Sequence, residues 1–160
     1  MQEGGDPWHV TPALRLSGVL DIEVLSRSLD TLVQRHDSLR ARIVLIGGEM
    51  RQVIDEPSQF RLRAVRCQGV SMRDRENDAR LRIREFHLTP IHIAVGLLFD
   101  AVLMELAEQE YVLAITVHHS ITDGISIAQT VADLWSLYGD LIRDQAGCSG
   151  GRDCDSVFIR

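Results

Sequence analysis

Two adjacent histidines, His118 and His119, are the side chains of this chain best suited to chemistry. Asp123 and Gly124 follow four and five residues after the second of them. Imidazole takes up and gives back a proton near neutral pH, because its unperturbed pKa is about 6.5. The pair therefore predicts a site for acid–base chemistry, with a carboxylate and a turn close by.

The segments on either side predict where this pair lies in the fold. The apolar run 111–117 predicts a buried β-strand that ends at the histidines, and helical spacing begins at about residue 125. Functional groups are often placed where a rigid element ends. Because successive side chains of a strand point to opposite faces, His118 and His119 should have different roles. We expect one to be held inside the structure and the other to face a cleft.

The residues around the pair allow more than one kind of chemistry. Asp123 could orient His119, as an aspartate orients the histidine of a serine hydrolase. His119 and Asp123 are also four residues apart, which is a usable spacing for metal ligands on a helix. A turn between them disfavours the metal alternative, and the remaining histidines show no paired spacing that would complete a metal site. Ser120 is not predicted to be a nucleophile, because no G-x-S-x-G segment surrounds it.

Composition limits the class of protein. The 160 residues predict one domain at 1–145, long enough to bury a core, followed by a flexible tail at 146–160 that is rich in Gly, Ser and Asp. A net charge of −6 gives no reason to expect nucleic acid as a partner, although all 17 basic residues are arginines. No segment approaches the roughly 20 apolar residues of a membrane span. The first residues do not resemble a secretory signal, so we expect a cytoplasmic location.

Hydrophobic periodicity predicts an alternation of strands and helices. Asp21 can cap a helix that ends near His36, Gly47-Gly48 can close a two-residue hairpin, and Ser71 with Asp74 can cap a second helix. The predicted strands are about 11–20, 40–46, 49–54, 60–67, 97–106 and 110–117, and the predicted helices are about 22–36, 72–85 and 124–143. This order predicts an α/β fold, specifically an α+β sandwich with a mixed β-sheet and helices packed on one face.

The motif HHxxxDG at 118–124 resembles the signature of nonribosomal peptide synthetase condensation domains, which share the chloramphenicol acetyltransferase-like fold. A second segment, Arg35–Arg42, resembles the RHExLRTxF element of the same family. The two occur in the order that the family has, with flanking similarity from about Trp8 to about Asp144. The resemblance implies a chloramphenicol acetyltransferase-like single lobe, the N-terminal one of the two lobes that form a condensation domain.

The resemblance also implies roles for the motif residues. His119 is the expected catalytic residue, acting either as a base towards an attacking amine or by orienting it. His118 is expected to be a buried structural residue. Asp123 is expected to pair with Arg40 rather than to complete a triad with His119. Gly124 would let the backbone approach a phosphopantetheine arm, because glycine carries no Cβ.

The implied activity is that of an acyltransferase of the condensation type. It would form an amide between a carrier-bound acyl or peptidyl thioester and an amine acceptor. The expected partners are acyl or peptidyl carrier protein domains, together with the missing C-terminal lobe or a self-association partner. No cofactor or metal is expected to bind directly, since phosphopantetheine would arrive on the carrier. The alternatives are a stand-alone carrier-dependent O- or N-acyltransferase and a non-catalytic carrier-binding module.

Overall fold

The computed structural model describes residues 8–91, 98–122, 127–148 and 158–159. Its strands are β1 (His9–Val10), β2 (Ala13–Ser17), β3 (Ala41–Ile46), β4 (Glu49–Ile54), β5 (Arg63–Arg66), β6 (Phe99–Ala107), β7 (Glu110–His118) and β8 (Phe158–Ile159). Its helices are α1 (Ile22–Arg35), a 3₁₀ turn at Asp37–Arg40, α2 (Met72–Leu88), α3 (His119–Thr122) and α4 (Ile127–Cys148). The predicted order of elements is confirmed, and β1, α3 and β8 are additions to it.

The main sheet has the strand order β5-β6-β7-β2-β8. β5 runs parallel to β6, whereas the other pairs are antiparallel, so the predicted mixed sheet is confirmed. β1 lies beside the end of β7 on the same edge as β2. Pro12 separates β1 from β2, since proline has no N–H to donate, but its carbonyl still accepts from the N–H of Ile115. β1 and β2 therefore act as one interrupted strand along β7.

Helices cover both faces of this sheet, which corrects the expectation that they pack on one face. On β6 and β7, Leu103 and Ile115 belong to the core shared with α1 and α4, whereas Met104 and Ala114 belong to the core shared with α2. The residues at alternate positions point to opposite faces. The apolar run of β7 does not alternate with polar residues, and a continuous run is typical of a strand buried on both faces.

α1 begins where the sequence predicts. Asp21 is its N-cap and accepts a hydrogen bond from the N–H of Val24 at 2.9 Å. The buried face of α1 packs against α4, and the hydroxyl of Tyr138 accepts from the N–H of Asp21 at 3.0 Å. At the other end, the Nε2 of His36 lies 3.2 Å from a carboxylate oxygen of Asp133. The two helices are therefore antiparallel, and the end of α1 lies near the beginning of α4.

α2 begins with the predicted capping box. The hydroxyl of Ser71 accepts from the N–H of Asp74, whose carboxylate accepts from the N–H of Ser71. The helix continues one turn beyond the predicted end, to Leu88. Phe86 is buried against the sheet in this extra turn, which explains why the helix does not end earlier.

The β3–β4 hairpin forms a separate two-stranded sheet. Gly47 and Gly48 have φ values of 61° and 86°, which the predicted two-residue turn requires and which other residues rarely adopt. Leu45 and Met50 are cross-strand neighbours and are 71% and 70% exposed. The hairpin therefore presents apolar side chains outside the main core.

The structure describes two short stretches within the region predicted to be a tail. α4 extends to Cys148, and Phe158 and Ile159 pair with β2 at the edge of the sheet. These two residues have high β-propensity, and β2 offers them an unpaired edge. Residues 149–157 and 160 lie outside the described part, so the boundary at 145 stays a prediction. No helix in the described ranges is long and apolar enough to cross a membrane.

Candidate functional site

His118 closes β7 and is held inside the fold. Its side chain is 7% exposed, and its N–H donates to the carbonyl of Leu98 at 2.9 Å. Its Nδ1 lies 3.1 Å from the backbone nitrogen of Ser120 and 2.8 Å from the hydroxyl of Ser120. The imidazole therefore caps the first turn of α3 as well as filling space beneath the end of the strand.

The geometry fixes the tautomer of His118. A backbone N–H can only donate, so the Nδ1 that faces the N–H of Ser120 must present its lone pair. The proton of the neutral ring then lies on Nε2. An imidazole used in this way stabilises the turn after β7.

His119 lies at the first position of α3, and its side chain is exposed. Its backbone N–H donates to the carbonyl of Trp8, the residue that precedes β1. The backbone of His119 is thus anchored to a neighbouring segment while its imidazole projects outward. A basic side chain on a fixed backbone is suited to proton transfer or to holding a reacting group.

Arg40 is the described member of the expected Arg40–Asp123 pair, since Asp123 and Gly124 lie outside the described residues. The Arg40 side chain is 9% exposed, forms an ion pair with Asp37 and donates to the carbonyl of Asp55. Its Nε is buried and has no hydrogen-bond partner among the described residues. The N–H at Nε of Arg40 could therefore serve a further acceptor.

The segment containing Arg40 lies near the helix that follows the histidine motif. The contact between Nε2 of His36 and the carboxylate of Asp133 joins the end of α1 to the second turn of α4. Four residues lie between the end of α1 and Arg40, and four lie between the last described residue of α3 and the beginning of α4. The structure thus brings the two sequence motifs to the same end of the molecule.

Sequence spacing missed a polar cluster beneath His118. His9 pairs with His118 across the β1–β7 ladder and is 3% exposed. The hydroxyl of Thr11 lies 3.0 Å from Nδ1 of His87 and 2.9 Å from the hydroxyl of Thr116. Thr11 and Thr116 are 105 positions apart in sequence, so only strand register reveals the cluster. Within the described ranges, no group of three or more His, Cys, Asp or Glu side chains is arranged to hold a metal ion.

The mixed sheet, its helices and the histidine pair at the end of β7 define a sandwich of the chloramphenicol acetyltransferase-like class. The first condensation domain of the calcium-dependent antibiotic synthetase, solved with a substrate analogue, superposes with a TM-score of 0.78 at 26% identity over 88% of this chain and 34% of that one. The SgcC5 protein from Streptomyces globisporus, solved with a naphthyl ethanediol and sucrose, gives 0.77 at 27% identity over 84% and 30%. The family model for the condensation domain matches residues 1–146, so this chain belongs to the condensation-domain family.

Relatives in sequence are large synthetases. A linear gramicidin synthase of Brevibacillus parabrevis is 34% identical over 139 residues, which are 87% of this chain and 3% of that protein. Beauvericin nonribosomal cyclodepsipeptide synthetase of Gibberella fujikuroi is 32% identical over 157 residues, or 98% of this chain and 5% of that protein. The chain therefore spans a small part of these relatives and about a third of the solved chains it matches.

Proposed function

We propose that this chain is the N-terminal, histidine-bearing lobe of a nonribosomal peptide synthetase condensation domain. It would form an amide between a carrier-bound acyl or peptidyl thioester and an amine. The observation that carries the proposal is the contrast at the end of β7, where His118 is buried and His119 projects an exposed imidazole from an anchored backbone. Membership of the condensation-domain family supplies the reaction class.

In this reaction the amine nitrogen bonds to the thioester carbonyl carbon, and the tetrahedral intermediate then expels the sulfur. The thiol remains on the phosphopantetheine of the partner carrier domain. The amine loses one proton, and the departing sulfur gains one. His119 either takes that proton and passes it on, or holds the amine by a hydrogen bond while the proton moves through solvent. The negative charge of the intermediate requires nearby hydrogen-bond donors.

The other motif residues would support His119 without touching the reacting atoms. Asp123 pairing with Arg40 would satisfy the buried Nε of Arg40 and hold the segment after α3 against the end of α1. His118 would hold the turn after β7 through Ser120. Gly124 would leave room for the phosphopantetheine arm.

A single lobe offers one wall of a cleft, so a second wall is needed to hold both substrates in reacting geometry. We propose that the C-terminal lobe of the domain supplies it, or that a second copy of this chain does. Carrier protein domains would deliver both substrates. A cytoplasmic location stays a prediction from the sequence.

A specific observation favours a second candidate function. The solved SgcC5 structure contains a free diol rather than a carrier-bound acceptor. At 27% identity, this likeness supports transfer to a free alcohol or amine by a stand-alone acyltransferase. A module that only binds carrier domains is the non-enzymatic alternative, since it would need the surface but not His119.

The test is a single-turnover assay with a carrier-bound acyl donor, offered either a carrier-bound amino acid or a free amino alcohol. The native chain is compared with His119→Ala and with Arg51→Ala, an exposed hairpin arginine that serves as the control. Loss of acid–base help should lower the rate by about 10²–10⁴-fold in His119→Ala. Arg51→Ala should match the native chain.

The acceptor that gives product decides between amide condensation and transfer to a free acceptor. Carrier binding, measured in parallel by calorimetry, separates both from the binding module. Binding that survives His119→Ala, with no turnover in any form, would contradict catalysis. His119→Gln then distinguishes the two roles of the imidazole, because glutamine can donate a hydrogen bond but cannot take up a proton at neutral pH.

A further inference from the structure

β1 holds the segment that carries His119. Trp8 immediately precedes this strand, and His9 is its first residue. The carbonyl of Trp8 accepts from the N–H of His119, and His9 is opposite His118 in the β1–β7 register. β1 contains only two residues, so its ladder gives it few hydrogen bonds to β7. Side-chain contacts therefore help to keep so short a strand in place, and one of them is the hydroxyl of Thr116, which donates to the carbonyl of Val10.

His9 provides a second such contact, which joins β1 to α2. Its side chain is 3% exposed, and its Nε2 donates to the carbonyl of His87 in the last turn of α2. The two imidazole rings also meet edge to face, with centroids 4.7 Å apart and an interplanar angle of 68°. His9 therefore joins β1 to α2 across the face of the sheet opposite α1 and α4.

The hydrogen-bond roles at His9 follow from its partner. A carbonyl oxygen only accepts, so the Nε2 that faces it carries the proton. The Nδ1 of His9 is buried and has no hydrogen-bond partner among the described residues. The contact of His9 with α2 thus depends on one donor, the N–H at Nε2.

We propose that His9 is a positioning residue for His119. Its hydrogen bond to His87 fixes β1, and β1 fixes the backbone of His119 through the carbonyl of Trp8. His9 does not touch the reacting groups, and its effect reaches the imidazole of His119 through the main chain. The effect on turnover rests on the proposed condensation function, whereas the effect on the backbone of His119 does not.

Three substitutions separate the donor from the bulk of the ring. His9→Gln places an amide N–H₂ near the position of Nε2, so it can still donate to the carbonyl of His87. His9→Asn carries its donor near the position of Nδ1, too short to reach. His9→Leu fills the space without any donor. Val65→Ala, on the far edge strand β5, is the control for a small general loss of stability.

The measurement is hydrogen exchange of the His119 amide by NMR on the full chain. In His9→Leu we expect protection of this amide to fall about tenfold or more, because local opening of β1 exposes it. His9→Gln should keep protection within about threefold of the native chain, and Val65→Ala should match it after correction for global stability. If His9→Leu fails to fold, His9→Asn takes its place in the comparison.

Two results would overturn the proposal. The first is unchanged protection of the His119 amide in the variant that lacks the donor. The second is an equal loss of protection in His9→Gln, since the donor would then be irrelevant.

Turnover is read separately, and we expect kcat to fall in His9→Leu and to recover in His9→Gln with KM unchanged. If the His119 amide shows the expected protection in every variant but the native chain has no turnover, only the condensation function is contradicted.

Discussion

Arg40 shows how the buried charges of this chain are satisfied. Its guanidinium is nine-tenths buried, pairs with Asp37 and donates to the carbonyl of Asp55, which follows β4. The N–H of Asp55 returns a hydrogen bond to the carbonyl of Arg40 at 3.1 Å. One side chain thus joins the 3₁₀ turn to the base of the hairpin. The contact with Asp123 proposed above would add the motif to the same network.

Replacing Arg40 should therefore cost more stability than replacing an exposed arginine. We expect Arg40→Met to lower the free energy of unfolding by about 2–3 kcal/mol, because the part-buried carbonyl of Asp55 loses a charged donor. Arg51→Met, at an exposed pair with Glu49, should change it by less than about 0.5 kcal/mol. Urea unfolding measures both. Equal losses of unfolding free energy in the two variants would show that Arg40 stabilises the fold no more than an exposed arginine does.

Cys67 is a buried thiol that the proposed chemistry does not use. Burial raises its pKa, and the nearby carboxylate of Asp78 adds to the increase. The thiolate is the reactive form, so the folded chain should alkylate slowly at Cys67. The pKa of the Cys67 thiol is higher in the folded chain than in the unfolded chain. Its contribution to stability is therefore complete at pH values below the unfolded pKa. That contribution is lost as pH rises through the folded value.

The measurement uses Cys148→Ser with Cys154→Ser, which leaves Cys67 as the single thiol. We expect iodoacetamide to react at least about tenfold faster in concentrated guanidinium chloride than in the folded state at pH about 8.5. Comparable rates in both states would mean that Cys67 is accessible and unperturbed.

The residue-scale roles were only partly predictable. Period-two alternation indicates that neighbouring residues at the end of a strand face different surroundings, and His118 and His119 do so. Nothing in the sequence spacing links His9 to His118 or to His87. That contact depends on the β1–β7 register and on one extra turn of α2, both of which are tertiary properties.

At the scale of elements, α2 illustrates how local and tertiary signals combine. Its first turn was predictable because Ser71 and Asp74 have the spacing of a capping box. Its last turn was not, because Phe86 and His87 are held by partners on the sheet and on β1. The same holds for its position. Propensity predicts that α2 is a helix, but only the double burial of β6 and β7 places it on the face opposite α1.

Removing the N-cap of α2 should have a measurable local effect. We expect Ser71→Ala to lower the free energy of unfolding by about 1 kcal/mol, whereas Ser58→Ala, in an exposed loop, should be neutral. The pKa of the Asp74 carboxyl is lowered mainly by its hydrogen bond with the hydroxyl of Ser71 and, second, by its hydrogen bond with the N–H of Ser71. Ser71→Ala should therefore move that pKa back up, as an NMR titration of the carboxyl would show.

The direction of the pH dependence follows. A lowered folded pKa means that the ionised Asp74 contributes stability above its unfolded pKa, and this contribution is lost as pH falls through the folded value. The difference in the free energy of unfolding between the native chain and Ser71→Ala should therefore become smaller at acidic pH. A difference that stays constant with pH would contradict the capping box as its source.

At the scale of the whole molecule, we propose that this chain forms one wall of a larger cleft. It spans about a third of the solved chains it matches, and its hairpin exposes Leu45 and Met50. The fold could be predicted from the sequence because each family motif, at 118–124 and at 35–42, is a short continuous segment that can be recognised without the structure. The sequence does not show whether a C-terminal lobe or a second copy would supply the proposed second wall, so it does not predict the donor or the acceptor.

The need for a second wall predicts that activity depends on concentration. If a second copy supplies the wall, product formed per molecule should rise with protein concentration, in step with the mass measured by light scattering. Adding an intact C-terminal lobe should remove this dependence. Constant activity per molecule from a chain that stays monomeric would contradict the requirement for a second wall.

The most direct test of the account compares turnover and stability in His118→Ala and His119→Ala. The account predicts that His119→Ala unfolds like the native chain but loses turnover. His118→Ala should lower the free energy of unfolding by about 2 kcal/mol, because a buried hydrogen-bonded side chain is removed. Native turnover in a folded His119→Ala variant would contradict the central claim, that the exposed histidine at the end of β7 performs the chemistry.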